Sequence, residues 1–450
     1  MEYSDNYYTR TKTYSPHFNK LSESLQCDVC IIGGCLSGIS TAYYLSKINP
    51  NLKVVVLEKH KIGWGASGRN GGQLLHGFSG EDFKSQNHTF DEQKQLWNFS
   101  IDAVREVKKN IQELNIQCDL VEGYLLTSVT KKHDEELKKY IDLLQNKYGY
   151  ESAMYLPKSE MHNYFHSPYY KSAMYDSECS QIHPLNYCLG LAQEILKNKN
   201  CKIYEEASVV SYESNNDVTI KLDNNLIIRS KKMIMCCNAY INNLNKKLRR
   251  KIMPVKTYVS VFKDIPKKEL NNFFKKQITV GDMLFVLNYF RLDKHNNLVF
   301  GGGVSYSNVD PLSLEKSLKK SIKKILPGLE KYEAWCTWSG HVAITVNRFP
   351  HIGFLDKNII FTQGYSGHGL AITTMVGKMI AEVLESENND IKLFEKFIHR
   401  DFPGFGIIDT PLLVLAMSYY KLKYIISLSN FPLPIIDFVS KCFFNFFKKL

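Results

Sequence analysis

The 450-residue sequence lacks the long apolar runs that place a chain in a membrane or direct it to export. No uncharged stretch reaches the roughly 18–20 apolar residues that are needed to span a bilayer. The N-terminus, MEYSDNYYTRTKTYSPHF, has no apolar segment of the secretory type. These absences predict a cytoplasmic protein.

Acidic residues are in deficit, and cysteine pairs at zinc spacing are missing. The 57 basic and 45 acidic residues give a formal net charge of +12. No nucleic-acid-reading motif accompanies the lysines, so nucleic-acid binding is not expected.

Among the eleven cysteines, Cys27 and Cys30 form one C-x-x-C without a second pair. The scattered cysteines predict buried, reduced thiols and no metal site.

A glycine-rich turn between two apolar strands is present near the N-terminus. Residues 28–32 and 53–58 are predicted to be strands, and residues 37–47 a helix. In dinucleotide-binding units, a carboxylate about twenty residues after the turn accepts hydrogen bonds from ribose hydroxyls. Glu58 occupies that position. The turn itself departs from G-x-G-x-x-G only at its third residue, in the order Gly33, Gly34, Cys35, Leu36, Ser37, Gly38.

A second glycine-rich segment, KHKIGWGASGRNGGQLLHG, follows Glu58 directly. Such a bare backbone can lie against a flat or phosphorylated ligand and offer its N–H groups as donors. A loose surface loop is the alternative interpretation. It does not explain why the segment follows a nucleotide-type acid.

At this point the sequence resembles the D-amino-acid-oxidase-like FAD oxidoreductases, and within them the gamma-glutamylputrescine oxidases. The resemblance rests first on GWGASGRNGGQ (63–73) and QGYSGHGLAITTMVGKMIAE (363–382). Further blocks follow in order, including HPLNY (183–187) and NYFRL (288–292), over about residues 7 to 425.

The resemblance implies an α/β fold, α+β overall, in two discontinuous domains. A Rossmann-like FAD-binding domain is expected over 25–85, 160–240 and 336–400. A substrate domain of sheet and helices is expected over 86–159 and 241–335. A C-terminal helical extension would occupy 401–450.

The resemblance also implies which residues contact FAD, which is expected to be bound non-covalently. Gly340 stands near the position where some relatives attach flavin to a cysteine. The loop at Gly364 should open a helix that stabilises the anionic reduced flavin. The expected FAD contacts are the turn residues Gly33, Gly34, Cys35, Leu36, Ser37 and Gly38, then Glu58, Lys59, Gly65, Ala66, Ser67, Gly68, Arg69, Asn70, Gly71, Gly72, Gln73, Val209, Gly364, Tyr365, Ser366, Gly367, His368 and Gly369.

The expected activity is oxidation of an amine C–N bond in a small-molecule substrate, with reoxidation by O2. His368 is the first catalytic candidate, followed by Arg69 and Gln73, whereas His183 is expected to hold a helix start. Sarcosine-oxidase-like relatives hold a substrate carboxylate with a lysine where this chain has Ala371, which favours amines over α-amino acids. An amine or amino-acid dehydrogenase that uses an electron carrier stays open, as does a non-catalytic flavin-fold binding protein.

Two further expectations concern Cys35 and the tail. The helix N-terminus predicts a lowered thiol pKa and ready alkylation of Cys35 in flavin-free protein. Residues 431–450 combine phenylalanines with lysines, as in segments that make peripheral contact with anionic membranes. Packing of this tail on the body or on a second subunit is the alternative.

Overall fold

The structure is a computed structural model that describes residues 3–80, 83, 87–305, 314–386 and 390–402. The predicted extension over 401–450, with its membrane-contact segment 431–450, lies outside these residues except for its first two. Within the described ranges, no helix has both the length and the apolar composition that a membrane crossing requires.

The described residues form seventeen strands and eleven α-helices. The strands are β1 (Leu25–Ile32), β2 (Val54–Leu57), β3 (Gln73–Leu74), β4 (Val121–Ser128), β5 (Ala153–Pro157), β6 (Ser172–Gln181), β7 (Cys201–Tyr204), β8 (Val209–Ser214), β9 (Val218–Leu222), β10 (Ile227–Met235), β11 (Met253–Phe262), β12 (Thr279–Asp282), β13 (Tyr289–Leu292), β14 (Leu298–Ser305), β15 (Ala334–Ile344), β16 (His351–Asp356) and β17 (Ile359–Gln363). The α-helices are α1 (Tyr7–Thr11), α2 (Leu36–Ile48), α3 (Phe90–Glu113), α4 (Lys131–Asp142), α5 (Lys158–Met161), α6 (Pro184–Ile195), α7 (Lys246–Arg250), α8 (Lys267–Leu270), α9 (Leu314–Ile325), α10 (Ile372–Glu385) and α11 (Ile391–Glu395).

Sheet A has the strand order β16-β17-β10-β1-β2-β7, and the β8–β9 hairpin joins it along β10. From β17 to β7 the strands are parallel, whereas β16 is antiparallel at the edge. Such strands are buried on both faces, which explains the uninterrupted apolar runs in the sequence. The predicted β-α-β unit is confirmed as β1, α2 and β2, with Val29 opposite Val54.

Helices α2 and α10 cross closely on one face of sheet A. Gly377 permits this approach, because a Cβ there would lie 2.6 Å from Cβ of Ser40 and 2.7 Å from the backbone nitrogen of Thr41. Both helices bury apolar residues in the same core cluster. The N-termini of the two helices are thereby brought to one side of the molecule, next to the carboxyl end of β1.

Sheet B has the strand order β15-β11-β14-β13-β12-β4-β6-β3, with β5 paired to β6. Phe290 and Phe300 lie opposite each other and stack, with ring centroids 5.5 Å apart, inside an apolar cluster. The adjacent residues Tyr289 and Gly301 face the other side, since side chains alternate along a strand. There the Tyr289 ring packs over Gly71, so sheet B covers the second glycine-rich segment.

The fold class is confirmed as a mixed α/β arrangement, a Rossmann-like sheet plus a covering sheet. The domain boundaries stay a proposal. Strand β6 and much of β15 hydrogen-bond within sheet B, although they lie in the segments 160–240 and 336–400 that the sequence assigns to the FAD-binding domain.

Candidate functional site

The turn after β1 is built so tightly that only glycine fits at its key positions. Gly33 has a φ of +113°, and a Cβ there would lie 2.6 Å from the carbonyl oxygen of Cys236. A Cβ on Gly38 would lie 2.0 Å from the carbonyl oxygen of Gly33. Helix α2 therefore starts directly on the turn, at the carboxyl end of β1, where dinucleotide-binding units place a phosphate at a helix N-terminus.

Cys35 replaces the middle glycine without filling the turn. It is the N-cap residue of α2, and its thiol donates to the carbonyl oxygen of Cys236 at 3.1 Å. The Ser37 hydroxyl lies 3.1 Å from the same sulfur. The expected lowering of the thiol pKa is wrong: burial raises the pKa of Cys35 and outweighs the helix terminus. Rapid alkylation of this residue is no longer expected.

Glu58 directly follows β2, and both of its carboxylate oxygens accept hydrogen bonds from the backbone. It accepts hydrogen bonds from the N–H of Gly34 at 2.7 Å and of His60 at 2.8 Å. Burial raises the pKa of this carboxyl group. The carboxylate is thus fixed beside the turn, where a ribose would pass, and its role as a ribose acceptor remains a prediction. Lys59 is exposed, and Val209 begins β8 two residues after Ala207, whose N–H donates to the carbonyl of Glu58 at 2.9 Å.

The second glycine-rich segment is a packed structure. Leu36 donates its N–H to Oγ of Ser67 at 2.9 Å, which joins this segment to the start of α2. Asn70 closes the segment on itself, because its side-chain oxygen accepts from Gly72 and its amide donates to Ala66. The alternative of a loose surface loop is therefore excluded, and both glycine-rich segments form one surface.

Arg69 stands out in this segment because part of its guanidinium has no hydrogen-bond partner. Its carbon Cζ lies 4.2 Å from the ring centroid of Trp64, and Nη1 donates to the carbonyl of Ser339 at 3.4 Å. Nε and Nη2 are enclosed and unpartnered. Burial lowers the pKa of Arg69. Unpartnered buried donors are costly, so this group fits an oxygen-bearing ligand that would lie against it.

Gln73 ties the same segment to sheet B. Its side-chain nitrogen donates to Oγ1 of Thr279 at 2.6 Å and to the carbonyl of Val280 at 3.1 Å. These bonds fix the amide at the edge of β12. The structure accordingly gives Gln73 a tethering contact, and its catalytic role stays a prediction.

The loop that precedes α10 carries His368. Gly364 has a φ of +73°, and its N–H donates to the side chain of Asn238 at 2.9 Å. Nε2 of His368 donates to the backbone carbonyl of His76 at 2.8 Å. Burial is the largest cause that lowers the pKa of His368. Helix α10 begins at Ile372, so residues 364–371 form a loop that presents the histidine ahead of the helix N-terminus.

His183 holds the start of α6, as the sequence predicts. Its Nδ1 accepts the N–H of Asn186 at 3.1 Å, one turn into the helix. Burial lowers the pKa of His183 to about 3, so the ring is neutral and able to accept.

Sequence reasoning missed several residues that build the site. Arg291, which is 3 % exposed, donates to the carbonyl of Gly71 at 2.9 Å and clamps the second glycine-rich segment to β13. The ring of Tyr289 lies between Gly71 and Gly301. His76 and Asp176 form a buried ion pair, with Nε2 and Oδ2 2.6 Å apart. His76 lies in the second glycine-rich segment and Tyr289 and Arg291 lie in the block NYFRL, whereas Asp176 lies in none of the quoted motifs.

These features fit FAD. The glycine turn lets the N-terminus of α2 start directly at the carboxyl end of β1, the position at which a helix terminus binds a phosphate group. Arg69, whose Nε and Nη2 are unpartnered, belongs to the second glycine-rich segment and contacts Ser339 of β15 in sheet B. FAD would be held by the turn, by Glu58 and by the glycine-rich segment, with its ring near Arg69 and His368.

Comparison with known proteins agrees with this geometry. The probable oxidoreductase OrdL of Haemophilus influenzae is 30% identical over 427 residues, covering 94% of this chain and 97% of that protein. The gamma-glutamylputrescine oxidoreductase of Escherichia coli is 30% identical over 424 residues, with coverage of 94% and 98%. Among solved structures, glycine oxidase from Geobacillus kaustophilus has a TM-score of 0.68 at 18% identity, and the match covers 80% of this chain and 95% of that one.

The sequence profile of one family, described as FAD dependent oxidoreductase (DAO), matches residues 28–383. That range contains the glycine turn, the second glycine-rich segment, sheet B and the His368 loop. The chain therefore belongs to the DAO family of FAD-dependent oxidoreductases.

Proposed function

We propose that the protein is an amine oxidase that acts on gamma-glutamylputrescine or a similar amine and is reoxidised by dioxygen. The observation that carries the proposal is Ala371, which is 1 % exposed, three residues after His368. An α-carboxylate has no cation to bind at that position. The buried cation Arg291 is already engaged within the protein, because its guanidinium donates to the carbonyl of Gly71 and to the Tyr8 hydroxyl. The E. coli relative named gamma-glutamylputrescine oxidoreductase supports the same substrate class.

The residues of the chain bind and orient, and the cofactor supplies the redox chemistry. When bound, FAD would accept the two electrons and the hydrogen that leave the carbon beside the amine nitrogen. The lowered pKa keeps the imidazole of His368 neutral at pH 7, so it does not repel an ammonium group and can accept an amine N–H. Arg69 would donate to an oxygen of the bound cofactor.

Amines are expected to bleach the bound flavin faster than D-amino acids or sarcosine do. The physical reason is the missing carboxylate partner at Ala371. The measurement is flavin absorbance in holoenzyme mixed without oxygen with gamma-glutamylputrescine, putrescine, D-alanine and sarcosine. Faster bleaching by D-alanine or sarcosine than by either amine would contradict the substrate proposal.

Admitting air to the reduced protein tests the acceptor. Rapid recovery of the flavin spectrum with formation of hydrogen peroxide is expected of an oxidase. Slow recovery without peroxide, in a protein that the amine bleaches, would instead assign a dehydrogenase. A purified protein that binds no flavin would favour a binding protein of the same fold.

Replacing Cys35 by glycine is expected to leave FAD affinity equal or higher. Glycine is tolerated at a helix N-cap and restores the usual residue of the turn. Flavin-free protein is titrated with FAD, and binding is measured as the quenching of flavin fluorescence. Cys35→Val serves as the comparison, because its branched side chain adds bulk at the same position. Weaker binding by Cys35→Gly would show that the Cys35–Cys236 contact is needed to shape the turn.

A further inference from the structure

His76 joins the His368 loop to a buried ion pair. Its backbone carbonyl accepts from Nε2 of His368, and its own ring donates to Asp176. We propose that His76 is a positioning residue that holds His368 in the Nε2–H tautomer, with Nδ1 free to accept an N–H of the substrate amine. This inference rests on the proposed function and assigns a role to two residues, His76 and Asp176, outside the predicted site.

The tautomer follows from the acceptor. A backbone carbonyl oxygen can only accept, so Nε2 of His368 must carry the hydrogen in this contact. In a neutral imidazole the other nitrogen is then an acceptor. No described residue hydrogen-bonds to Nδ1, and the His368 side chain is only half-buried. The acceptor nitrogen is therefore available to a ligand.

His76 is held in place from several sides. Its ring packs edge-on against Trp97 and Tyr150, with centroids 5.1 Å and 4.8 Å away. Asp176 also accepts from the Tyr150 hydroxyl at 2.8 Å and from the N–H of Cys179 at 3.2 Å. Because both partners are enclosed, a shift of the His76 backbone would break a buried charged hydrogen bond.

The donor atoms of His76, Asp176 and Cys179 lie within 4.8 Å of one another, a spacing that a metal ion could use. The direct 2.6 Å contact between the imidazole and the carboxylate leaves no room for an ion between them. The arrangement is accordingly that of an ion pair, with the Cys179 thiol beside it.

The ion pair also acts on His368 through charge. Burial opposes protonation of His76, but the hydrogen bond to the Asp176 carboxylate and its negative charge outweigh burial and raise the pKa of His76. A cationic His76 disfavours a second cation on His368, in addition to the larger effect of burial. The described charged or titratable groups that face this pair of histidines are Asp176, Cys179 and Tyr150, and the thiol and phenol are neutral at pH 7 because burial raises their pKa values.

The test uses the FAD-bound full chain with ¹⁵N-labelled histidine, read by NMR. The His368→Asn variant identifies the His368 signals. In the native protein, the expected result is the Nε2–H tautomer of a neutral ring at pH 7. A ring with the hydrogen on Nδ1, or a cationic ring at that pH, would overturn the proposal.

The double variant His76→Asn/Asp176→Asn removes the charges as a pair, so that no unpaired charge stays buried. In this variant, a mixture of both His368 tautomers and a rise of the His368 pKa by about one unit are expected. The matched control is Glu106→Gln. Glu106 pairs with Lys378 and accepts from the Tyr44 hydroxyl, neither of which belongs to the loop 364–371, so this variant should move neither value.

An unchanged pKa and tautomer in the double variant would refute the positioning role, whatever the substrate is. If both values change as expected but no amine bleaches the flavin of the native protein, the substrate proposal fails and the positioning of His368 stands. The two conclusions are thus tested by separate readouts.

Discussion

Asparagine in place of Asp176 is expected to destabilise the protein by about 3–5 kcal/mol, the usual cost of removing one partner of a buried ion pair. His76 and Asp176 are both buried, and their hydrogen bond is 2.6 Å long. Asparagine has one acceptor oxygen where the carboxylate has two, so the imidazole loses its charged partner and the four donors that converge on residue 176 can no longer all be bonded. The holoenzyme is unfolded in urea, and the free energy of unfolding is obtained from the change in tryptophan fluorescence.

The pH dependence of this loss identifies its cause. The pKa of His76 is raised from 6.5 to about 10, so its share of the stability is complete below pH 6.5 and is lost as the pH rises through 10. The pKa of Asp176 is lowered, so its share is present above its ordinary value of 3.8 and is lost on acidification. The difference between native protein and Asp176→Asn should therefore be larger at pH 6 than at pH 10.

Glu106→Gln is the matched control for this prediction. Glu106 pairs with Lys378 at 2.9 Å and accepts from the Tyr44 hydroxyl, but the side chain of Lys378 is 27% exposed. A partly exposed pair contributes less, so a smaller loss without the alkaline decline is expected. Equal losses at pH 6 and pH 10 for Asp176→Asn would show that packing, and not charge, explains its effect.

Alanine at Gly38 is expected to weaken FAD binding by about 10- to 100-fold, which corresponds to the usual cost of overpacking. Helix propensity alone predicts the opposite, since alanine stabilises helix interiors by about 1 kcal/mol over glycine. The close contact at Gly38 decides whether alanine stabilises or destabilises. The new Cβ would lie 2.0 Å from the backbone oxygen of Gly33, which cannot rotate away. Either the turn or α2 must move, and both border the FAD site.

The measurement is the flavin content of the purified variant, followed by titration of flavin-free protein with FAD. Gly340→Ala is the control at the opposite side of the site, where the nearest atom to a new Cβ is Cβ of Arg69 at an ordinary 3.4 Å. This variant should keep its FAD. Normal FAD content in Gly38→Ala would mean that the turn tolerates a shift of α2.

Local signals in the sequence predict the parts of the site that are built from neighbouring residues. The apolar runs and the turn between them predict β1, α2 and β2, because strand, turn and helix preferences act over a few residues. His183 as a helix cap follows equally from HPLNY, where a proline opens the helix. The resemblance of the glycine-rich blocks indicates the family.

Contacts between distant residues escape such reasoning. The helix terminus predicts a lowered pKa for Cys35, whereas enclosure near Cys236, two hundred residues away, raises it. The pair of His76 with Asp176 joins residues a hundred positions apart, since His76 follows β3 and Asp176 lies in β6 of sheet B. The sequence around either residue contains no pattern that predicts its contact with the other.

The sequence by itself determined the dinucleotide-type β-α-β unit and the second glycine-rich segment, because both depend on residue types at short, fixed spacings. The resemblance of the glycine-rich blocks to known proteins indicated the FAD-oxidoreductase family. Only the tertiary structure decided that sheet B covers the glycine-rich segment, that Arg69 keeps unpartnered N–H groups and that His368 donates to His76. Burial and hydrogen bonding depend on which distant segments meet. That choice is made by the packing of the two sheets as a whole.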